Sequence, residues 1–462
     1  MGFVLDLDKK YVVLPYTDGA TPREVGFYKE NGEIVTSLLL EYDDSPDDWV
    51  YLPSFLFGEK RVCIQGDADL KKLVRTEDEK KGEGSHYAFH YAPSFGWIND
   101  PNGLHYRDGL YHLYYQMNPV SKRWNNMSWG HAVSRDMVSF EEKDPVFLPK
   151  SDSLVIFSGS ALNGEFAYTV ANVKGERSFY QERRFSGEGY SFGESEVIIP
   201  CFSSEERDPR LFKYKGSKYL LLWVKGNTYA LFVEKDGKYT IVNTFEAKDA
   251  WECPDIYNLD GRLFFSTADG FYFEAEIDVD GLKLIGERKE MFLTKIPYAS
   301  QSFTGLEDTY MVSWLRVETP HLRTTGAMSI IRKVCVNGDN LVLEPNRDLL
   351  ACFRENGKYR NQYSNPSAVL RLETCGSFSG DIGGTEISFD GISGVLKFGE
   401  EEVTFTSPQK ELDIFLDHEI LEISDREYRN LAVFEIKMKN DYYSGVRLSS
   451  SDLGITEYVW RK

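Results

Sequence analysis

The sequence has little of what marks a disulfide scaffold, a zinc protein or a membrane protein. Its six cysteines are scattered, with no two in CxxC spacing, so neither a disulfide framework nor a zinc site is indicated. The seven histidines form no HExxH or similar motif, and we expect no metal and no other cofactor. The longest apolar runs, such as residues 219–224, are too short to span a bilayer.

Basic residues are also scarce relative to acidic ones, 53 against 73, which gives a formal net charge of −20. Such a field repels phosphate backbones and anionic lipids, so neither nucleic acid nor a membrane is an expected partner. The N-terminal stretch MGFVLDLDKK is interrupted by charges at positions 6, 8, 9 and 10. It is therefore not predicted to be a secretory signal, and we expect a cytoplasmic location unless a signal sequence has been removed.

Helical periodicity is scarce, and the best candidate for a helix is a short connecting one at 343–356. Alternating segments rich in Tyr, Phe, Leu and Val are abundant instead, each following a tight turn. A strand-rich repeat of about 40–50 residues is typical of a β-propeller, here with five blades, although a large β-sandwich with regular turns would share the signal. The aligned turns lie 45 to 55 residues apart, at Gly109, Gly164, Gly216, Gly261 and Asp308.

The sequence therefore predicts an all-β protein of several domains, since 462 residues exceed one ordinary core. Residues 1–84 form a β-rich module that ends in a charged, Gly-rich linker, and residues 85–340 form the propeller. A connecting segment covers 341–356. Alternation resumes over 357–462 and predicts a C-terminal β-sandwich.

Three acidic residues occupy nearly one phase of the repeat. Asp100, Asp208 and Glu252 lie eight or nine residues before the turns of their units. In a propeller, equal phase means equal radial position in different blades. If this phase is the innermost strand, the three carboxylates meet in one central funnel.

Each acid also has a structural explanation when taken alone. Pro101 restricts Asp100 to extended backbone, but an NDPNG segment also suits an Asx-turn. Asp208 beside Arg207 would make a surface ion pair of little energetic value. Glu252, taken alone, is also read as a structural residue, although apolar neighbours in WECP would raise the pKa of its carboxyl group by desolvation, as a general acid requires.

Together, WINDPNG at 97–103, RDP at 207–209 and WECP at 251–254 resemble glycoside hydrolase family thirty-two, the family of invertases, inulinases and levanases. The resemblance covers about residues 86–462. It implies a five-bladed propeller followed by a β-sandwich. The further matching segments are YHLYYQMNP at 111–119, WGHAVSRDMVSF at 129–140, FSGSA at 157–161 and LDIFLDHEILEISD at 412–425.

The resemblance implies a role for each acid. Asp100 would be the nucleophile, Glu252 the acid/base and Asp208 the residue that binds fructosyl hydroxyls and stabilises the transition state. A retaining mechanism places the Asp100 and Glu252 carboxyl groups about 5–5.5 Å apart, against about 6.5–9.5 Å for an inverting one. Ser128 stands where many relatives have His, which puts the leaving-group side in doubt. The implied substrate contacts are Asn99, Gln116, Trp124, Phe157, Ser158, Arg207 and Trp314.

The expected activity is retaining hydrolysis of β-fructosidic bonds in sucrose, fructo-oligosaccharides or fructans, with a small fructosyl carbohydrate as partner. A fructosyltransferase or a difructose-anhydride hydrolase would use the same scaffold. An inverting propeller glycosidase of the arabinanase or xylosidase kind and a non-catalytic sugar-binding relative are further alternatives. The residues before 85 lie outside the resemblance and could pack on the propeller rim, shape the funnel mouth or mediate a homo-oligomer.

Overall fold

The structure, a computed structural model, describes residues 2–81, 84–151, 153–358, 366–374, 377–406, 411–437, 445–449 and 453–460. The regular secondary structure of these residues is almost all β-strand, 60% strand against 3% helix, and the predicted all-β class is confirmed. The helices described are a 3₁₀ turn, Ser54–Phe57, and two short α-helices, α1 (Leu70–Leu73) and α2 (Arg347–Ala351). None of them has the length and apolar character needed to cross a membrane.

The N-terminal module, residues 2–77, contains two antiparallel sheets, ordered β1-β6-β3-β4 and β5-β2-β7. Their shared apolar core includes Phe95 and Val120 from the following part of the chain, so the module is packed against that part. The strands are β1 (Gly2–Asp6), β2 (Tyr11–Tyr16), β3 (Pro22–Tyr28), β4 (Ile34–Glu41), β5 (Asp48–Pro53), β6 (Arg61–Gln65) and β7 (Arg75–Glu77).

Residues 96–345 form five successive antiparallel sheets, each with four main strands in chain order. The first two sheets contain β8 (Gly96–Arg107), β9 (Leu110–Asn118), β10 (Ser128–Ser134), β11 (Phe140–Phe147), then β12 (Leu154–Leu162), β13 (Glu165–Asn172), β14 (Ser178–Phe185) and β15 (Glu196–Ile199). The third and fourth contain β16 (Arg207–Tyr214), β17 (Ser217–Lys225), β18 (Thr228–Lys235), β19 (Lys238–Glu246), then β20 (Asp255–Leu259), β21 (Arg262–Ser266), β22 (Phe271–Asp278) and β23 (Gly281–Glu290). The fifth contains β24 (Pro297–Ser302), β25 (Tyr310–Leu315), β28 (Arg332–Asn337) and β29 (Asn340–Pro345), and between them lie β26 (Thr324–Thr325) and β27 (Ala327–Met328).

The first strands of these five sheets contact one another in a closed ring. β8 contacts β12, β12 contacts β16, β16 contacts β20, β20 contacts β24, and β24 returns to β8. The two-residue strand β26 leaves the fifth sheet and pairs in parallel with the start of β8, with Thr324 opposite Gly96. Residues at the same place on the five first strands therefore face a common centre.

The second strands, β9, β13, β17, β21 and β25, coincide with the five repeated segments of the sequence, so the predicted strands are confirmed. Four of the turns before them join a residue with positive φ to a glycine with positive φ, as at Asp108 (φ 51) and Gly109 (φ 80). This combination is the type I′ hairpin turn, whose twist matches that of the flanking strands.

The C-terminal region, residues 353–460, forms two further sheets, ordered β30-β40-β31-β36-β37-β38 and β35-β34-β33-β32-β39, around one apolar core. Its strands are β30 (Phe353–Lys358), β31 (Ser367–Thr374), β32 (Phe378–Ile382), β33 (Thr385–Asp390), β34 (Val395–Phe398), β35 (Glu401–Thr404), β36 (Glu411–Asp417), β37 (Ile420–Asp425), β38 (Leu431–Glu435), β39 (Val446–Ser449) and β40 (Leu453–Trp460).

The helix predicted over 343–356 is shorter than expected. Pro345 ends β29, and α2 begins only after Asn346, whose side chain accepts a hydrogen bond from the Asp348 N–H and caps the helix. From Phe353 onward the backbone pairs with β40. Strand pairing on both sides overrides the helical pattern, and five residues of helix remain.

Candidate active site

Asp100 lies on β8, at an irregularity in the pairing with β9 between Ile98 and Pro101. Its Oδ2 accepts a hydrogen bond from Ser158 Oγ at 2.6 Å and lies 3.6 Å from Cys253 Sγ. Burial, followed by the charge of Glu252, raises the pKa of Asp100, while hydrogen bonds from Ser158, Asn99 and Cys253 oppose the shift. The predicted extended backbone is confirmed, and the carboxyl group is held by neighbouring sheets.

Asp208 is the second residue of β16, buried and in a left-handed backbone conformation (φ 64). Its own N–H donates to Thr169 Oγ1 at 3.0 Å, and its Oδ2 accepts the Cys253 N–H at 3.1 Å. Burial raises the pKa of Asp208. Arg207 opposes this effect, and the charges of Glu252 and Asp100 add to it. Arg207 Nε does lie 3.9 Å from Asp208 Oδ2, but both side chains are largely buried in the cleft, so the alternative of a surface ion pair is wrong.

Glu252 precedes β20 and has a partner on each oxygen. Arg207 donates to Oε2 through Nε at 2.8 Å and Nη2 at 2.5 Å, and Tyr298 donates its hydroxyl to Oε1 at 2.9 Å. The expectation that apolar side chains surround the Glu252 carboxyl group is wrong, because the Trp251 side chain packs toward Trp223, with ring centroids 5.0 Å apart. The carboxyl group of Glu252 has polar surroundings instead.

Cys253 joins the two aspartates, a role that the sequence did not suggest. Its Sγ lies 3.4 Å from Asp208 Oδ2 as well as 3.6 Å from Asp100 Oδ2, so one thiol proton can bridge both carboxyl groups. Burial raises the pKa of this thiol and keeps it protonated. Cys253 (φ 50) and Ala299 (φ 49), like Asp208, are non-glycine residues with left-handed backbone, a strained conformation that concentrates at functional sites.

These residues line a cleft of about 620 Å³ at the centre of the ring. All ten residues predicted from the sequence line it: Asn99, Asp100, Gln116, Trp124, Phe157, Ser158, Arg207, Asp208, Glu252 and Trp314. Ser128 lies outside its lining; it is buried, and its hydroxyl donates to the backbone oxygen of Asn126 at 2.7 Å.

The cleft wall is partly aromatic, as expected. Trp124 is 51% exposed and its ring lies 6.3 Å from that of Phe157, while the Trp314 ring lies 6.0 Å from that of Tyr298. Gln116 Nε2 and Trp314 Nε1 are buried without a hydrogen-bond partner among the described residues. Two donors and two aromatic faces are thus available to a sugar, whose hydroxyls need partners and whose C–H face packs on rings.

Seven lining residues were not predicted: Leu39, Asn125, Met127, Val173, Lys174, Arg177 and Tyr298. Tyr298 carries a signal that could have identified it, because it lies ten residues before Asp308, nearly in phase with the three acids. Lys174 and Arg177 belong to the connection between β13 and β14, and Leu39 to the N-terminal module. No repeat relates these three residues to the site.

A group of possible metal ligands lies outside the cleft. Among the described residues, His86, His418 and Glu419 place one ligand atom each within 4.8 Å of one another. His86 and His321 both pair with the buried Glu419 carboxylate, at 3.2 and 2.7 Å. These contacts connect the ring of sheets to the C-terminal region.

Comparison with known proteins places the chain in a family. A model of the glycosyl hydrolases family 32 N-terminal domain matches residues 90–345. The levanase of Bacillus subtilis (strain 168) is 32% identical over 194 residues, 37% of this chain and 28% of the levanase. The sucrose-6-phosphate hydrolase of the same organism is 26% identical over 365 residues, 66% of this chain and 76% of the hydrolase.

Among solved structures, the family 32 glycoside hydrolase of Bifidobacterium adolescentis has a TM-score of 0.72 at 16% identity and covers 99% of both chains. This likeness extends over the N-terminal module and the C-terminal sheets as well as the ring. The family model alone matches more than half of the sequence. The chain belongs to glycosyl hydrolase family 32.

Proposed function

We propose that the protein is a retaining β-fructosidase, which hydrolyses the fructosyl bond of small carbohydrates through a covalent fructosyl-enzyme intermediate. The observation that carries the proposal is the convergence of Asp100, Asp208 and Glu252, distant in sequence, in one cleft. Retaining glycosidases need two carboxyl groups in separate roles on either side of the bond that breaks. Asp100 and Glu252 have different hydrogen-bonding partners, which suits two separate roles.

In the first step, Glu252 donates its proton to the leaving oxygen while the Asp100 carboxylate attacks the anomeric carbon. The bond to the leaving group breaks and an ester to Asp100 forms. The charge left on Glu252 lies beside Arg207 and Tyr298, which stabilise it. In the second step, Glu252 takes a proton from water, the water oxygen attacks the anomeric carbon, and Asp100 leaves as a carboxylate.

Asp208 has no proton to transfer in this scheme. Its carboxyl group lies deep in the cleft and would accept hydrogen bonds from the fructosyl hydroxyls, which strengthen as positive charge develops on the ring. The Cys253 contact holds Asp208 and Asp100 on one side of the sugar. The separation of about 5–5.5 Å between the Asp100 and Glu252 carboxyl groups stays a prediction.

We also infer that the ring of five sheets is a five-bladed β-propeller and that the C-terminal sheets form a β-sandwich. The closed contacts among the five first strands and the four-stranded meander of each sheet support the propeller. The core shared by the two C-terminal sheets supports the sandwich.

The test is a product analysis with sucrose, kestose, inulin and levan as separate substrates. The proposal requires free fructose from at least one of them, released first as the β anomer and observed by NMR before mutarotation. An α anomer released first would favour the inverting alternative. No fructose from any substrate would overturn the proposal, and fructosylated sugars at high substrate concentration would indicate a transferase.

A second candidate substrate is a phosphorylated sucrose, because two cationic side chains, Lys174 and Arg177, lie at the exposed side of the cleft. The related Bacillus subtilis protein is named a sucrose-6-phosphate hydrolase. A phosphate on the leaving sugar would find favourable charge there, despite the net charge of −20.

The Lys174→Gln/Arg177→Gln double variant tests this candidate. If phosphate is recognised, kcat/KM for sucrose 6-phosphate falls about tenfold or more while that for sucrose stays within about twofold. Equal values for the two substrates in the unaltered protein would reject the phosphorylated sugar and leave the β-fructosidase proposal standing.

A further inference from the structure

The cleft has a buried floor and an exposed mouth. Gln116 and Asp208 on the floor are 1% and 7% exposed, whereas Trp124 at the mouth is 51% exposed. If the proposed function holds, the fructosyl ring sits on the floor beside the acids, and the group that it loses extends toward the mouth. Residues at the mouth therefore contact the leaving group.

Part of this mouth is a loop, residues 119–127, between β9 and β10, which carries the lining residues Trp124, Asn125 and Met127. The loop is attached to the N-terminal module through Asn126. The side-chain oxygen of Asn126 accepts the Leu39 N–H at 2.9 Å, and its Nδ2 donates to the Leu39 carbonyl at 3.0 Å. One buried amide thus pairs with the backbone of β4 as a neighbouring strand would.

A second set of contacts holds the same loop from the same module. Glu41, buried at the end of β4, accepts a hydrogen bond from Ser121 Oγ at 2.8 Å and pairs with Arg123. Asp18 pairs with Lys122 at 2.8 Å and Arg123 at 3.0 Å. A buried carboxylate with two partners is costly to displace, so the loop position depends on β4.

Leu39 itself lines the cleft, and it comes from a part of the chain that lies outside the five sheets. Ser128 also supports the loop, since its hydroxyl donates to the Asn126 carbonyl at 2.7 Å. Within the cleft, the leaving-group side thus combines one module residue with three loop residues that the module positions.

We propose that the N-terminal module is a leaving-group specificity element, in which Leu39 contacts the departing sugar and Asn126 positions the loop that carries Trp124. This inference rests on the proposed function. Because the fructosyl floor is built from the five sheets, the module changes which fructoside is accepted without changing the chemistry of bond cleavage.

The test is Asn126→Gly in the full chain. Asn126 has a left-handed backbone (φ 45) that glycine adopts freely, so the variant removes the amide without straining the loop. We expect KM for sucrose and kestose to rise about tenfold, with the smaller change in kcat. Competitive inhibition by free fructose, which binds the floor alone, stays within about twofold.

Leu39→Ala is the second variant, in case Asn126→Gly does not fold. It keeps every backbone contact and should change the ratio of kcat/KM between sucrose and kestose at least threefold. The control is Asn31→Gly in the turn between β3 and β4, where Asn31 is exposed and away from the cleft. This control should match the unaltered protein in KM, kcat and fructose inhibition.

The outcomes separate the two proposals. If the unaltered protein releases no fructose from any fructoside, the proposed function fails. If it does release fructose but both variants keep the KM values and the sucrose-to-kestose ratio, the module has no part in specificity. If Asn126→Gly weakens fructose inhibition as much as it raises KM, the loop supports the whole cleft, and the leaving-group assignment is wrong.

Discussion

At the scale of single residues, the cleft floor depends on a cysteine that performs no chemistry. The Cys253 thiol lies between the buried Asp208 and the partly buried Asp100, whose carboxyl groups repel each other when both are ionised. Its protonated state matters, because a neutral donor lowers the cost of an anion on either side. The left-handed backbone at this position keeps Sγ and N–H turned toward Asp208 together.

Cys253→Ala should therefore move the acid limb of the pH profile. Removing this donor takes away one contribution that lowers the pKa of Asp100, so the pKa rises further and kcat/KM falls off at a higher pH. Because a thiol is a weak donor, we expect a shift of about half a pH unit to one unit. The measurement is kcat/KM between pH 4 and pH 8, with Cys253→Ser as the control that retains a donor. An unmoved acid limb in the alanine variant would contradict the bridging role.

The roles of Glu252 and Asp100 can be separated with azide. Glu252→Ala should lower kcat for sucrose by about 10²–10⁴-fold, the usual contribution of acid–base catalysis. With a p-nitrophenyl fructoside, whose leaving group needs little protonation, azide should restore turnover and yield β-fructosyl azide, because azide attacks the intermediate without a base. Asp100→Ala forms no intermediate, so any azide product should be the α anomer. The same anomer from both variants would show that the roles are misassigned.

At the scale of elements, the sequence was sufficient to place three acids on corresponding strands. Asp100, Asp208 and Glu252 share a phase that falls on, or just before, the first strand of its sheet. Tyr298 follows the same rule and could have been found. The bridging thiol could not, because it depends on a left-handed Cys253 that no local pattern requires.

The contribution of the N-terminal module was not predictable for a different reason. Leu39 reaches the cleft through docking of β4 on the loop at Asn126, 87 residues further along the chain, and no periodicity links the two. The helix expected over 343–356 was misjudged because apolar spacing there serves strand pairing at both ends. Tertiary contacts determine both the position of Leu39 and the length of this helix.

Gly159 on β12 is a position where any side chain would clash with the backbone of the neighbouring strand. A Cβ there would lie 2.0 Å from the Ala167 carbonyl oxygen on β13, so Gly159→Ala must separate two central strands. We expect a loss of at least about 2–3 kcal/mol in the free energy of unfolding, and lower activity because Ser158 moves with the strand. Gly187→Ala, where nothing lies within 4 Å, is the matched control and should be nearly neutral. The measurement is urea denaturation of both variants. Equal free energies of unfolding would contradict the expected clash between the two strands.

At the scale of the whole molecule, a buried ionic group joins the ring of sheets to the C-terminal region. His90, ahead of β8, lies 3.1 Å from both Asp417 and Glu422, and Glu422 also pairs with Arg332 on β28. Burial opposes the charge on His90, but hydrogen bonds to Asp417 and Glu422 raise its pKa to about 9. Burial likewise opposes the charge on Glu422, yet Arg332 and His90 lower its pKa to about 2.

These shifts predict how stability depends on pH. A raised pKa means that the His90 contribution is fully present below about pH 6.5 and is lost as pH rises through about 9. The Glu422 contribution is present above about pH 4.5 and is lost as pH falls through about 2. The loss on the alkaline side is on the order of 3 kcal/mol.

The measurement is urea denaturation at pH 7 and pH 9.5. His90→Gln, which cannot titrate, should be less stable at pH 7 by about 3–5 kcal/mol, because it leaves buried carboxylates short of a partner. The difference between the two proteins should shrink at pH 9.5. A difference that stays constant between the two pH values would show that His90 is neutral in the folded protein.

The pairing of the two-residue strand β26 affects where the chain can be opened in a circular permutant. In sequence β26 lies between strands of the fifth sheet, but it pairs with the first sheet. The carbonyl of Arg323, the residue just before β26, accepts a hydrogen bond from the Gly96 N–H, and its side chain pairs with Asp48. The N-terminal module, the start of β8 and residues 323–325 thus meet at one place. A circular permutant opened beside residue 323 would break the chain where the fifth sheet contacts the first, whereas one opened at the turn near Gly187 would leave that contact intact.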